Sequence, residues 1–101
     1  MTTATVIRYR TKSEPEAKEN ARLIEAVFTE LNETRPDGMR YAAFRVPDGD
    51  GFLHLFVMEG DANPLSELPA FQEFQKSIAD RLAGPPEITE SELLGAYRVF
   101  D

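Results

Sequence analysis

Residues 52–58 read Phe-Leu-His-Leu-Phe-Val-Met, and this stretch decides the fold that the 101-residue chain is expected to adopt. Its two alternating sets of side chains are both largely apolar, which predicts a strand that is buried on both faces. Elsewhere in the chain, two segments have the periodicity of a helix, and two helices can cover one face of a small sheet. The second face therefore needs a second copy of the chain, a ligand pocket, or both.

Four strands are expected, because β-branched and aromatic residues cluster in four segments bounded by turn residues. The segments are residues 4–11, 39–46, 52–59 and 87–100. A helix is expected from the N-cap Ser13 to about Thr34, where the segment 35–38, Arg-Pro-Asp-Gly, ends it. A second helical segment is expected at residues 65–82, with a break at Pro69.

The resulting order, β-α-β-β-α-β, is typical of the ferredoxin-like fold. We expect one α+β domain over residues 1–101, built on a four-stranded antiparallel sheet. The first and third strands should lie in the middle, and both helices should lie on one face because such crossovers are right-handed. Two copies would then pair into a dimeric α/β barrel.

Alternation along each strand divides its side chains between the two faces of the sheet. Leu53, Leu55 and Val57 are expected under the helices, together with Ile7 and Tyr9. The helix-free face is expected to carry Arg8, Tyr41, Arg45, Phe52, His54, Phe56, Met58 and Arg98. Such a surface would be unusual for a monomer, so we expect a homodimer through the sheet face. The alternative is a solvated face with scattered apolar residues.

His54 is the only histidine, and it is the candidate catalytic residue because its ordinary pKa lies near neutrality. The alternative is a histidine that only forms hydrogen bonds across the dimer interface. The candidate substrate-binding residues are Arg8, Tyr41, Arg45, Phe56, Met58 and Arg98. Converging arginines would attract an anionic ligand, and the alternative, which the acidic residues of the chain favour, is ion pairs with Glu59, Glu90 or Glu92.

The composition excludes several classes of function. A net charge of −7 argues against nucleic acid and anionic membranes as partners. One histidine and no cysteine argue against a zinc site, and there is no glycine-rich phosphate loop, so no metal or cofactor is expected. Without a recognisable signal peptide or a membrane-spanning segment, a cytoplasmic protein is expected.

Nearly the whole chain resembles the dimeric α/β-barrel superfamily, and within it the antibiotic biosynthesis monooxygenase-like proteins. The resemblance rests on chain size and element order. It also rests on residues 68–74, Leu-Pro-Ala-Phe-Gln-Glu-Phe, and on the closing residues 96–100, Ala-Tyr-Arg-Val-Phe. It implies face-to-face pairing of sheets and a pocket between sheet and helices. The chain lacks the pocket tryptophan of the monooxygenase-like branch, and its asparagines, Asn20, Asn32 and Asn63, do not lie on the first strand.

The resemblance implies activities that include oxygenation of phenols without a cofactor, quinol oxygenation, haem degradation, lactone isomerisation and non-catalytic binding. Our first hypothesis is a cofactor-independent monooxygenase-like enzyme acting on a small aromatic or phenolic substrate. In it, His54 or a tyrosine moves a proton while arginines hold the developing negative charge. The alternatives are a non-catalytic module that binds a small molecule and a protein whose open face only forms a dimer.

Overall fold

The elements follow the predicted order in the computed structural model, which describes residues 3–46, 51–58 and 64–99. They are β1 (Thr3–Arg10), α1 (Glu14–Thr34), β2 (Met39–Val46), β3 (Gly51–Met58), a short 3-10 helix (Pro64–Glu67), α2 (Pro69–Lys76), α3 (Ile78–Arg81) and β4 (Glu87–Glu92). All pairings are antiparallel, in the order β2-β3-β1-β4. The ferredoxin-like prediction, with the first and third strands in the middle, is confirmed. Glu59, Asn63 and Phe100 lie outside the described residues.

Helix α1 begins and ends where its sequence predicts. Ser13 has the extended backbone of an N-cap residue, and its carbonyl accepts the first helical hydrogen bond, from Ala17. At the other end Arg35 adopts the left-handed conformation, with φ of 47°, and its N–H donates to the carbonyl of Leu31. Gly38, with φ of 81°, then turns the chain into β2.

The second helical segment is divided into three pieces, with the predicted break at Pro69 and a second, unpredicted one at Ser77. Proline has no N–H, so it can begin a helix but cannot continue one, and α2 begins at Pro69. Ser77 separates α2 from α3. This interruption turns Arg81, the last residue of α3, into the interior, where it is 4% exposed.

Strand β4 is shorter than the predicted segment 87–100. It pairs only with β1, and its last residue, Glu92, lies opposite Thr3 at the first described position of β1. Residues 93–99 lie outside the described β1–β4 ladder, which reaches Glu92. Leu94 is 93% exposed and Tyr97 is 84% exposed, so this segment does not pack on its own sheet.

The predicted faces of β2 and β3 are reversed in the structure. In β3, Phe52 lies opposite Tyr9 and His54 lies opposite Ile7, and residues that are directly opposite share a face. Tyr9 contacts Asn20 of α1, so this face is the one beneath the helices. Our prediction was correct for Ile7 and Tyr9 but wrong for the set Phe52, His54, Phe56 and Met58. The same reversal holds for β2, where Tyr41 lies opposite Phe56 and Arg45 opposite Phe52.

The reversal has a simple physical origin. The side chains on both faces of β3 are largely apolar. Alternation along the strand separates the two sets but does not show which set faces the helices. The helix-free face consequently carries aliphatic rather than aromatic residues of β3. Leu53 and Leu55 lie there beside Val6 and Phe44, and Phe44 is 40% exposed. Arg8 also lies on this face, as predicted.

None of the helices in the described residues is both long and apolar enough to cross a lipid bilayer. The cytoplasmic location stays a prediction from the sequence.

Candidate functional site

A cavity of about 370 Å³ lies between the helix-facing side of the sheet and the segment that contains α2 and α3. Its volume is typical of pockets that bind small molecules. Aromatic side chains dominate its wall, and the few polar groups belong mostly to the sheet. The principal lining residues are Tyr9, Tyr41, His54, Phe56, Met58, Leu65, Phe71, Phe74, Gln75 and Ile78.

His54 is held between two tyrosines on the sheet side of this cavity. Its Nε2 lies 2.7 Å from Tyr9 Oη, and its Nδ1 lies 2.6 Å from Tyr41 Oη. The residues opposite His54 are Ile7 on β1 and Ala43 on β2, so each tyrosine is a diagonal neighbour two positions along its strand. Aromatic side chains are long enough to meet at this diagonal spacing. The triad is therefore a direct product of strand register.

Two further polar residues extend the triad into the interior. The amide of Asn20, on α1, lies 2.8 Å from Tyr9 Oη and is completely buried. Arg81 donates from Nε to Asn20 Oδ1 at 2.9 Å and also donates to Ser77 Oγ and to the carbonyl of Phe74. Its guanidinium lies 5.3 Å from the centre of the Phe74 ring, a cation–π contact.

Sequence reasoning did not select Asn20 or Arg81, although a signal was present. Asn20 falls on the buried stripe of α1, three residues after Ala17 and four before Ile24. Arg81 lies seven residues after the buried Phe74, again on the apolar stripe. A polar residue at an apolar position of an amphipathic helix is usually hydrogen-bonded inside the protein. That pattern would have indicated both residues.

Burial controls the protonation of the triad. It lowers the pKa of His54 to about 4, so the imidazole is neutral near pH 7. Burial raises the pKa of Tyr9 to about 12 although the Asn20 hydrogen bond and the Arg81 charge oppose the shift. The pKa of the Tyr41 hydroxyl is also raised by burial. At neutral pH the three rings are therefore uncharged, and the buried cation beside them is Arg81.

The structure separates the predicted site residues into two groups. His54, Tyr41, Phe56 and Met58 meet at the cavity, but beneath the helices instead of on the open face. Their roles in binding and catalysis stay predictions.

The predicted convergence of three arginines is wrong. Arg45 shares the helix-facing side but is exposed and forms a 3.0 Å salt bridge with Glu14. Arg8 lies on the helix-free face, away from the cavity. Arg98 is exposed and lies beyond β4, with φ of 48°. The alternation placed them together because it assumed a longer β4 and the opposite face for β2.

Within residues 3–46, 51–58 and 64–99, no three acidic or imidazole side chains lie close enough together to hold a metal ion. The arrangement can bind and orient an uncharged or anionic organic molecule through tyrosine hydroxyls and aromatic walls.

No family model matches this chain, and no curated protein matches it in sequence. Solved structures do match its fold. A protein from Bacteroides thetaiotaomicron, named "Putative antibiotic biosynthesis monooxygenase", has a TM-score of 0.79 at 12% identity, covering 99% of this chain and 96% of that one. A protein of the same name from Nitrosomonas europaea has a TM-score of 0.73 at 14% identity, covering 92% and 90%. Rv0793 from Mycobacterium tuberculosis has a TM-score of 0.69 at 21% identity, covering 95% and 98%.

The chain has the antibiotic biosynthesis monooxygenase-like fold. The resemblance inferred from element order and from residues 68–74 is confirmed at this level. Sequence identities this low support a shared fold and nothing about function, because one fold hosts many functions. Function has to come from the cavity and its side chains.

Proposed function

We propose that this protein is a cofactor-independent monooxygenase-like enzyme that acts on a small, flat substrate of the phenol class. The observation that supports the proposal is the Tyr9–His54–Tyr41 triad, which forms the polar part of an otherwise aromatic cavity wall. The fold of the named structural neighbours agrees with this class of activity.

The cavity walls suit a flat ring. Tyr41 and Phe56 lie parallel with ring centres 4.2 Å apart, and Phe71 and Phe74 approach from α2 with centres 6.1 Å apart. Offset and edge-to-face contacts with such rings favour aromatic ligands. The hydroxyl of Tyr41 gives the substrate oxygen a defined place to bind.

The reaction needs no group beyond substrate, dioxygen and solvent hydroxide. A hydroxide ion from solvent takes a proton from an activated CH₂ next to a phenolic ring, which gives a carbanion and water, and the carbanion transfers an electron to O₂. The resulting radicals combine to form a C–O bond, and uptake of a proton gives a hydroperoxide. Loss of water then leaves a carbonyl, so CH₂ and O₂ become C=O and H₂O. The enzyme contributes by hydrogen-bonding the substrate oxyanion and by excluding bulk water.

Oxygen uptake with a panel of hydroxylated anthrones, which carry an activated CH₂ in a phenolic ring system, tests this proposal. We expect the wild type to consume one O₂ for each carbonyl formed. Tyr41→Phe removes a hydroxyl at the cavity, whereas Tyr97→Phe makes the same change at an exposed position. The first variant should lose at least about tenfold in rate, the usual scale for a transition-state hydrogen bond, and the second should keep wild-type activity. Equal rates in all three proteins would contradict the proposal.

A second candidate is a binding module without catalysis. Both ring nitrogens of His54 are engaged by tyrosines, so the imidazole has no free nitrogen to take a proton directly from a ligand. Calorimetry that detects binding of an aromatic compound, without any oxygen consumption across the panel, would favour this candidate.

We also propose that two copies pair through the helix-free face of the sheet. That face exposes Phe44 and Val46, at 40% and 42%, next to the partly buried Leu53 and Leu55. Pairing would remove this apolar surface from water. Sedimentation velocity at tens of micromolar should show a dimer, and a monomer at that concentration would contradict the pairing.

A further inference from the structure

One chain of hydrogen bonds joins α3 to the wall of the cavity. Its members, in order, are Arg81, Asn20, Tyr9, His54 and Tyr41, at successive distances of 2.9, 2.8, 2.7 and 2.6 Å. We propose that Arg81 and Asn20 are positioning residues that set the direction, from donor to acceptor, of every hydrogen bond in this series. As a result, the cavity offers Tyr41 as a hydrogen-bond donor and selects ligands with an acceptor oxygen, a carbonyl or a phenolate.

The direction is set first at Arg81. A guanidinium has donors and no acceptor, so the Asn20 atom that faces it must be the oxygen Oδ1. The amide nitrogen Nδ2 then faces Tyr9 and donates to its Oη. An asparagine alone could bind in either orientation, and the buried cation removes that freedom.

The direction passes next through Tyr9 and the imidazole. Among the described residues, the remaining hydrogen-bond partner of Tyr9 Oη is His54 Nε2, so the hydroxyl donates to this nitrogen. Leaving a buried hydroxyl hydrogen without an acceptor would be unfavourable, because the group would lose its hydrogen bonds to water without replacement. A neutral imidazole has a single N–H, which must therefore be on Nδ1 and must donate to Tyr41 Oη.

The chain ends at the ligand. Because Tyr41 Oη accepts from His54, its own hydrogen is left for a group in the cavity that Tyr41 lines. Every donor in the chain points away from Arg81, so the bond dipoles align with their positive ends toward the ligand. This arrangement favours an electron-rich oxygen there. The inference rests on the proposed function only in taking the cavity as the ligand site.

Replacing one amide nitrogen by oxygen should reverse the donor and acceptor roles from Tyr9 to Tyr41. Asn20→Asp keeps the shape and the contact with Arg81, but an acceptor oxygen replaces the Nδ2 donor. Tyr9 must then donate toward α1, His54 must carry its proton on Nε2, and Tyr41 must donate to Nδ1. Tyr41 would offer the cavity only a lone pair. Asn32→Asp, the same change at an exposed position of α1, is the matched control.

Nitrogen-15 NMR of the single histidine measures the direction without any ligand. We expect the Nδ1–H tautomer in the wild type and in the Asn32→Asp control, and the Nε2–H tautomer in Asn20→Asp. A wild-type imidazole protonated on Nε2 would overturn the inference even if the Asn20 variant does not fold.

Binding of acetophenone and ethylbenzene, which differ by a carbonyl in place of a CH₂, measures the selection. The wild type and the control should bind acetophenone about tenfold more tightly, the scale of one hydrogen bond, and both Asn20→Asp and Tyr41→Phe should lose this preference. A preference that survives in Asn20→Asp would overturn the inference. If neither compound binds the wild type, the ligand selection and the proposed function both fail, while the tautomer still decides the direction of the chain.

Discussion

Acidification should unfold this protein chiefly through His54. The imidazole is 3% exposed, and its two nitrogens are enclosed by the hydroxyls of Tyr9 and Tyr41. Protonation would place a charge in this apolar site and would require Tyr9 to find another acceptor. The folded state therefore disfavours the imidazolium, which the unfolded chain accepts freely.

The sign and the size of the effect follow from linkage. The pKa of His54 falls from 6.5 to about 4 on folding because the ring is desolvated. Between these values the unfolded chain binds the proton and the folded chain does not, so stability is lost as the pH falls from 6.5 toward 4. The full loss is about 3 kcal/mol. Typical domains have about 5–15 kcal/mol of unfolding free energy, so the change is large.

Urea unfolding of the wild type and His54→Gln, at about pH 7 and about pH 4.5, measures this loss. Carboxylates also titrate over this range, but they do so in both proteins, so the difference between the two isolates the only histidine. We expect the wild type to lose about 2–3 kcal/mol more than the variant. Parallel losses, or an NMR titration of His54 near pH 6.5, would refute the reasoning.

Four further predictions concern single positions. Arg35→Gly should raise the unfolding free energy by about 0.5–1 kcal/mol, because Arg35 ends α1 in the left-handed conformation, which glycine adopts without strain. Gly38→Ala should lower the unfolding free energy by about 1 kcal/mol, because Gly38 has φ of 81°. Thermal melts measure both changes. Leu65→Ala should cost about 2–5 kcal/mol in urea unfolding, because Leu65 is completely buried. Phe44→Glu should convert the proposed dimer to a folded monomer in sedimentation velocity, and an unchanged dimer would exclude that face as the interface.

Local patterns were sufficient for the elements and their order. The apolar spacing of α1, the proline at residue 69 and the turn residues 35–38 act within one or two turns of chain, so their effects can be derived without tertiary contacts. The split βαβ pattern then placed the first and third strands in the middle, and the structure agrees. The length of β4 escaped this reasoning, because the end of a ladder depends on pairing with the neighbouring strand, which residues 87–100 alone do not specify.

The sequence by itself determined the ferredoxin-like order and the apolar character of both faces of β3, and it indicated the single histidine as the candidate catalytic residue. Only the tertiary structure decided that His54 lies beneath the helices, that Asn20 and Arg81 connect to it through Tyr9, and that Arg8, Arg45 and Arg98 lie away from it. The physical reason is range. Alternation involves neighbouring residues only, so it divides the side chains of a strand into two sets without showing which set faces the helices. The choice of inner face depends on contacts between residues far apart in the chain, such as Asn20 and Arg81, which are 61 residues apart.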